Sequence, residues 1–172
     1  MKTVFASILP IAFAGVTQMN NMLTELSNNT VGQRNIINVN NPIYTTLDPI
    51  WNYGCWCYFQ DNHGKGSGEA QNYMDEHCRV LHHGYTCVMM DAADENDNAC
   101  NPFTHDYNTI TIIGAIPEQV QIDCEAKNPG DNCAIRSCAV ESYFVLNVFN
   151  EAFGPNTFDP SLKHDLGWDA SV

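Results

Sequence analysis

The chain has 172 residues and a net charge of −13, with seven Lys and Arg residues against twenty Asp and Glu residues. This length suits one domain with a real hydrophobic core. So few cationic residues argue against a nucleic-acid partner and against docking on an anionic membrane, and leave a zwitterionic phospholipid surface or an extracellular protein as the partner.

The first residues have the pattern of an export signal. Lys2 supplies a short basic region, residues 4–13 are apolar, and residues 12–14, Ala-Phe-Ala, match a small-x-small cleavage site. The apolar stretch is too short for a membrane span. The sequence therefore predicts a signal peptide over residues 1–14 and a secreted, extracellular protein that starts near Gly15 or a few residues later.

The cysteine content fits export. An even number of cysteines in an exported chain indicates a disulfide framework, and we predict four bridges. Paired CxxC motifs, which are typical of zinc sites, do not occur. The eight cysteines are Cys55, Cys57, Cys78, Cys87, Cys100, Cys124, Cys133 and Cys138.

Residues 15–52 are predicted to form an N-terminal helix and a loop. Apolar side chains recur at helical spacing within residues 18–31, and Asn28 stops the pattern. Asn28 also begins an Asn-Asn-Thr sequon, so it is a candidate glycosylation site. Residues 32–50 are polar and rich in Asn, which predicts a loop. The apolar residues of the helix are Met19, Met22, Leu23 and Leu26.

Two long helices are predicted within a core over residues 53–153. The first covers residues 71–90, and the second covers residues 133–153 with Asp131 or Asn132 as its cap. The remaining residues, 154–172, contain no cysteine. We predict that they form a C-terminal tail on the periphery.

A small β-hairpin is predicted between the two helices. Residues 107–113 are rich in Thr and Ile and read as a strand, residues 114–117 as its turn, and residues 119–124 as the returning strand. The acidic stretch 91–98 reads as a solvated loop. The expected fold class is therefore mainly α and disulfide-rich, with one hairpin.

Several motifs resemble those of secreted phospholipases A2. Residues 53–57 read Tyr-Gly-Cys-Trp-Cys, and the calcium-binding loop of that family opens with Tyr-Gly-Cys-x-Cys. Residues 66–75 resemble the Gly-x-Gly-x-Pro-x-Asp-x-x-Asp approach to the family's first long helix. Residues 133–141, Cys-x4-Cys-x-x-Glu, resemble its second. The resemblance implies a phospholipase A2-like fold, with two long antiparallel bridged helices, a calcium-loop-like segment and a hairpin.

The resemblance also implies a function. In that family a histidine activates a water that attacks the sn-2 ester of a phospholipid, while an aspartate and loop carbonyls bind calcium. A second carboxylate orients the histidine, and Glu141 takes that place here. Trp56 and Tyr58 fall in the calcium loop. The implied function is phospholipid sn-2 ester hydrolysis, or phospholipid binding.

The resemblance implies two of the four bridges, Cys57–Cys78 and Cys124–Cys138. It leaves the connectivity of the other cysteines open. These are Cys55, Cys87, Cys100 and Cys133.

The register of the first long helix leaves two alternatives for the base. The family's Cys-Cys-x-x-His-Asp-x-Cys-Tyr corresponds to residues 77–85, His-Cys-Arg-Val-Leu-His-His-Gly-Tyr. Without a gap, Leu81 takes the place of the catalytic histidine and His82 that of the calcium aspartate. With one extra residue, His82 becomes the base and His83 replaces the aspartate. We adopt the second register, because it retains a base and gives a His82–Glu141 dyad.

The ungapped register has support of another kind. Cysteines that bond to one another in the phospholipase A2 family are absent from this chain as pairs, at positions around His77, Gly84 and Val140. In both registers a histidine replaces the calcium aspartate, and imidazole is a poor ligand for a hard cation. We therefore expect weak calcium binding through the usual ligands. A second hypothesis follows: a non-catalytic extracellular binding or assembly module on the same frame.

Overall fold

The computed structural model describes residues 14–31, 46–59, 66–151 and 158–164. Over these residues the protein is mainly helical and contains no β-sheet. None of the described helices is both long and apolar enough to cross a membrane. The four α-helices are α1 (Ala14–Val31), α2 (Tyr73–Asp94), α3 (Pro117–Lys127) and α4 (Asn132–Glu151).

Some sequence predictions fall outside the described residues. They concern most of the signal peptide (1–13), most of the Asn-rich loop (32–45), the end of the second long helix (152–153) and the two ends of the tail (154–157 and 165–172).

Helix α4 is the central element of the core. It packs against α1, α2 and α3, and its side chains Phe144, Val145 and Val148 are buried. All four apolar residues that predicted the N-terminal helix are buried in the same core. Burying a side chain of this kind stabilises the fold by about 1.5–3 kcal/mol, so the apolar face of α1 fixes this helix on α4.

Helix α4 begins with one of its two predicted caps, and α2 begins two residues after its predicted start. The side chain of Asn72 caps α2 and accepts a hydrogen bond from the backbone N–H of Asp75 at 3.0 Å. Asp131 caps α4 in the same way, through the N–H of Ala134 at 2.9 Å. Such caps satisfy backbone donors that a helix leaves open at its first turn. Helix α2 continues to Asp94, so half of the predicted acidic loop is helical.

The predicted hairpin is wrong. Residues 107–113 form no regular secondary structure and have no ladder partner, and residues 119–124 belong to α3. Pro117 stands at the start of α3, where its fixed φ angle favours a helix. The buried residues Val120 and Cys124 have the i,i+4 spacing of one helix face. The high Thr and Ile content of the first segment suggested a strand, but a strand requires a partner that this chain does not supply here.

Three disulfides form instead of the four that we predicted. They join Cys57 to Cys78, Cys100 to Cys133 and Cys124 to Cys138.

The remaining two cysteines, Cys55 and Cys87, are free. Cys55 contacts Gln71, just before α2 begins, whereas Cys87 lies near the other end of that helix, about 20 Å away at 1.5 Å per residue. A disulfide requires Cα atoms within about 7 Å. These two cysteines therefore do not bond to each other within one molecule.

The contact between Gly84 and Val140 gives a test of how α2 packs on α4. A Cβ atom at Gly84 would lie 2.6 Å from Cγ1 of Val140, and a β-branched side chain has little freedom to move away. We expect Gly84→Ala to destabilise the protein by about 1–2 kcal/mol despite the better helix propensity of alanine. Urea unfolding of purified protein measures this difference.

The matched control for this contact is the same substitution in a Val140→Ala background. There the clash is absent, so Gly84→Ala should become neutral or stabilise by up to about 1 kcal/mol. Equal effects in both backgrounds would show that the two residues do not meet.

Candidate functional site

The candidate site is a buried carboxylate between two helices and an irregular segment. Glu141 lies in the middle of α4 and is fully buried. The hydroxyl of Tyr85, from α2, donates a hydrogen bond to its Oε1 at 2.6 Å. The hydroxyl of Tyr107, from the irregular segment, donates to its Oε2 at 2.5 Å. Both oxygens of the carboxylate are therefore satisfied, as a buried charged group requires.

Helix α1 closes the site from the third side. A Cβ atom at Gly15 would lie 2.5 Å from Oε1 of Glu141, so only glycine leaves room for the carboxylate. The side-chain amide of Gln18 donates to the carbonyl of Tyr107 at 3.1 Å and also contacts the carboxylate of Asp106. The N-terminal helix therefore holds the segment that carries Tyr107 against Glu141.

Burial sets the protonation of this cluster. It raises the pKa of Glu141 to about 7, and the hydrogen bonds from Tyr107 and Tyr85 lower it only in part. The pKa values of both tyrosines are raised, first by burial and then by the charge of Glu141. Near neutral pH the two phenols are thus constant donors, and Glu141 is the group that gains or loses a proton.

The two members of the predicted His82–Glu141 dyad have different contacts among the described residues. Among the described residues, Glu141 accepts hydrogen bonds from the two tyrosines and not from His82. His82 is buried, and its ring meets the ring of Trp56 edge-on at 5.7 Å between centroids. Leu81, one turn before Tyr85, lies with the α4 residues Val140 and Phe144. This arrangement corresponds to the ungapped register.

Asp75 holds the loop that begins at residues 53–57, whose sequence resembles the calcium-binding loop of secreted phospholipases A2. Its fully buried carboxylate accepts hydrogen bonds from the backbone N–H groups of Cys55 at 2.9 Å, Trp56 at 2.7 Å and Gln71 at 2.9 Å. Gly54 has φ +59°, and a Cβ there would lie 2.3 Å from the Asp75 carboxyl carbon. Glycine is needed at this turn for both reasons.

The tail returns to the same loop. The rings of Tyr53 and Phe158 stack at 5.2 Å between centroids, and the Tyr53 hydroxyl accepts a hydrogen bond from the N–H of Asp159 at 3.0 Å. The N–H of Gly54 donates to the carbonyl of Leu162 at 2.9 Å. Residues 158–164 therefore stabilise the loop from outside.

The residues predicted to bind metal lie against one another. The carbonyl of Trp56 accepts a hydrogen bond from the N–H of Tyr58 at 2.8 Å, and the carbonyl of Gly54 accepts one from the Tyr58 hydroxyl at 3.4 Å. The exposed ring of His83 meets Trp56 edge-on. Within the described part of the chain, no group of three or more His, Cys, Asp or Glu side chains is placed to hold a metal ion. Residues 60–65 of the loop lie outside the described part, and calcium binding through the loop carbonyls stays a prediction.

An apolar groove opens between α2 and α4. Its volume is about 290 Å³, and its lining is mostly carbon. Gly84, Val140, Val80 and His77 are among the lining residues, and the imidazole of His77 lies 3.7 Å from the carboxylate of Glu151. The groove is large enough for an apolar side chain.

Sequence reasoning found some of these residues and missed others. Three of the motifs each end on one of these residues: 66–75 on Asp75, 77–85 on Tyr85 and 133–141 on Glu141. Tyr107 was missed, because nothing in its local sequence shows that its hydroxyl reaches α4. Asn28 is an exposed residue of α1, and its glycosylation stays a prediction.

The chain matches no protein-family model, no curated protein and no solved structure. A small, mainly helical protein with three disulfides is compatible with the phospholipase A2-like fold that the motifs suggest.

Proposed function

We propose that the protein is a secreted, non-catalytic binding module on a phospholipase A2-like frame. The observation that supports this most directly is the closed network around Glu141, in which two phenols occupy the carboxylate. Hydrolysis in that family requires an imidazole against this carboxylate and a calcium ion beside it. Leu81 lies against α4, where the ungapped register expects the imidazole, and in both registers a histidine replaces the aspartate that binds calcium.

The partner that this surface favours is a protein. The net charge of −13 disfavours anionic membranes. Exposed apolar side chains that cluster on a surface are typical of protein interfaces. Tyr73, Val80, Met90 and Ile122 on the helices, and Ile116 just before α3, are each more than half exposed.

Phospholipid hydrolysis is the second candidate, and one observation favours it. His82 is buried against Trp56 of the loop, so an imidazole does lie between the loop and the helix pair. If it acts as a base, it acts without a hydrogen bond to Glu141.

We expect no fatty-acid release from zwitterionic phospholipid vesicles, either with calcium or with a chelator. Release is measured with the purified mature protein beside a His82→Gln variant, and vesicle binding is measured by co-sedimentation. Calcium-dependent release that the variant loses would establish the hydrolase. Vesicle binding without release would identify a lipid surface as the partner instead of a protein.

A further inference from the structure

A polar cleft of about 450 Å³ opens between helix α1 and residues 106–109. Gln18 from the helix and Asp106 from the irregular segment are among its lining residues. Asp106 is the only charged side chain in this lining, which contains no Lys, Arg or His. Concave sites with a few polar groups are the usual places where proteins bind small groups, and this one carries a negative charge.

The side chain of Gln18 is fixed at the cleft by its amide nitrogen. Nε2 donates a hydrogen bond to the carbonyl of Tyr107 at 3.1 Å and also contacts Oδ1 of Asp106. If the amide nitrogen and oxygen exchanged places, Oε1 would lie against two acceptors, so these contacts set the orientation of the amide. Gln18 is only 6% exposed, and its Oε1 has no hydrogen-bond partner among the described residues. A buried acceptor of this kind requires a donor from elsewhere.

The carboxylate of Asp106 is held on one side only. Its Oδ1 contacts Gln18, whereas its Oδ2 receives neither a hydrogen bond nor an ion pair from the described part of the chain. Because the amide and the carboxylate are in direct contact, a single group can reach both of them. A ligand that matches the two oxygens brings a positive charge and at least two hydrogen-bond donors.

A primary alkylammonium group meets these requirements better than other cations. An ammonium is a compact charge with three donors, so one can point at Asp106 and another at Gln18. A guanidinium binds a carboxylate best through both carboxylate oxygens, and Oδ1 of Asp106 already contacts Gln18. Calcium requires six to eight oxygen ligands, and its affinity depends on their charge, whereas Asp106 is the only carboxylate in the lining.

The amide of Gln18 can turn to meet such a ligand. The terminal torsion of a glutamine side chain has a broad energy well, so an ammonium that arrives at Asp106 displaces Nε2 and brings Oε1 round to itself. Asp106 then exchanges a neutral donor for a charged one, which forms the stronger hydrogen bond. Oε1 gains the donor that it lacks within the described residues.

We propose that the cleft binds a primary alkylammonium group between the carboxylate of Asp106 and the amide oxygen of Gln18, and that this group belongs to a lysine of the partner protein. The inference deepens the proposed function, because the choice of a protein as the source of the amine rests on it. A net charge of −13 attracts a basic partner. The volume of the cleft is sufficient for the four-carbon stem of lysine behind its ammonium.

The test is a nuclear magnetic resonance titration of the isotope-labelled mature protein at low salt. The probes are the Nα-acetyl methylamides of lysine, norleucine and arginine. We expect the lysine derivative to shift the backbone signals of residues 106–109 and the side-chain amide signal of Gln18. The norleucine derivative has the same four-carbon stem without the ammonium, and it should bind roughly tenfold more weakly or worse. The arginine derivative should also bind more weakly than the lysine derivative.

Three variants separate the two oxygens from the overall charge. Asp106→Asn removes the charge of an exposed side chain and should weaken binding of the lysine derivative roughly tenfold. Glu69→Gln is its matched control, because it removes an exposed carboxylate that does not line the cleft, and it should change the affinity by less than about twofold. Gln18→Met removes Oε1 and should weaken binding roughly fivefold. Circular dichroism shows whether this buried variant folds, and Asp106→Asn tests the site independently of it.

Three results would each overturn the proposal. They are spectra that the lysine derivative leaves unchanged, equal affinities for the lysine and norleucine derivatives, and an unchanged affinity of Asp106→Asn. Tighter binding of n-butylamine than of the lysine derivative would identify a free amine as the ligand and overturn the assignment to a protein. The same shifts with calcium chloride alone would overturn the assignment to an ammonium. Fatty-acid release by the protein would refute the non-catalytic function and leave the amine site intact, so the two failures are distinguishable.

Discussion

Replacing Asp75 with alanine is expected to lower the free energy of unfolding by about 3–4 kcal/mol. The fully buried carboxylate holds the N–H groups of Cys55, Trp56 and Gln71. Hydrogen bonds to a charged group contribute more than neutral ones, and their removal leaves three backbone donors without their acceptor. Urea unfolding followed by circular dichroism at constant pH measures the change.

Two further substitutions separate charge, geometry and position. Asp75→Asn keeps one acceptor oxygen at the same place, so we expect it to lose about half as much stability. Glu69→Ala removes an exposed carboxylate from the same segment and should change stability by less than about 0.5 kcal/mol. A loss below about 1 kcal/mol for Asp75→Ala would mean that the Cys57–Cys78 bridge holds the loop without the carboxylate.

The helices were predictable because their signals are local. Met19, Met22, Leu23 and Leu26 recur at the spacing of one helix face, and every one of them is buried. The same local reasoning failed for residues 107–127. There the high Thr and Ile content of residues 107–113 favoured a strand, and it outweighed the helix start that Pro117 indicates. Whether a strand finds a pairing partner is a property of the whole fold, which the local sequence does not show.

The site was predictable only in part, because its geometry depends on tertiary packing. The motifs located Glu141 but could not decide whether Leu81 or His82 faces it. One residue of shift rotates a helix by about 100°, and the contacts of Tyr85 with Glu141 and of Gly84 with Val140 depend on packing that the motifs do not show. In the same way, the even number of cysteines predicted a fourth bridge. Cys55 and Cys87 do not form it, because they lie too far apart along α2.

The buried carboxylate should make the protein more stable at mildly acidic pH than at pH 8. Burial raises the pKa of Glu141 to about 7 from its ordinary value of 4.5. Between these values the folded protein holds a proton that the unfolded chain has released, so stability falls as the pH rises. The contribution of Glu141 is complete below about pH 4.5 and is lost above about pH 7. The full difference corresponds to about 3 kcal/mol.

Unfolding in urea at a series of pH values from 5 to 8 tests this sign, with Glu141→Gln as the comparison. The amide can accept a hydrogen bond from one tyrosine and donate one to the other, but it does not ionise. The variant should therefore lose the decline in stability that the wild type shows across this range. Asp131, whose pKa is lowered, contributes with the opposite sign, but it titrates below this range. Parallel profiles for the two proteins would mean that Glu141 stays ionised in the fold. The hydrogen bonds from the two phenols would then be sufficient to stabilise a buried negative charge on Glu141.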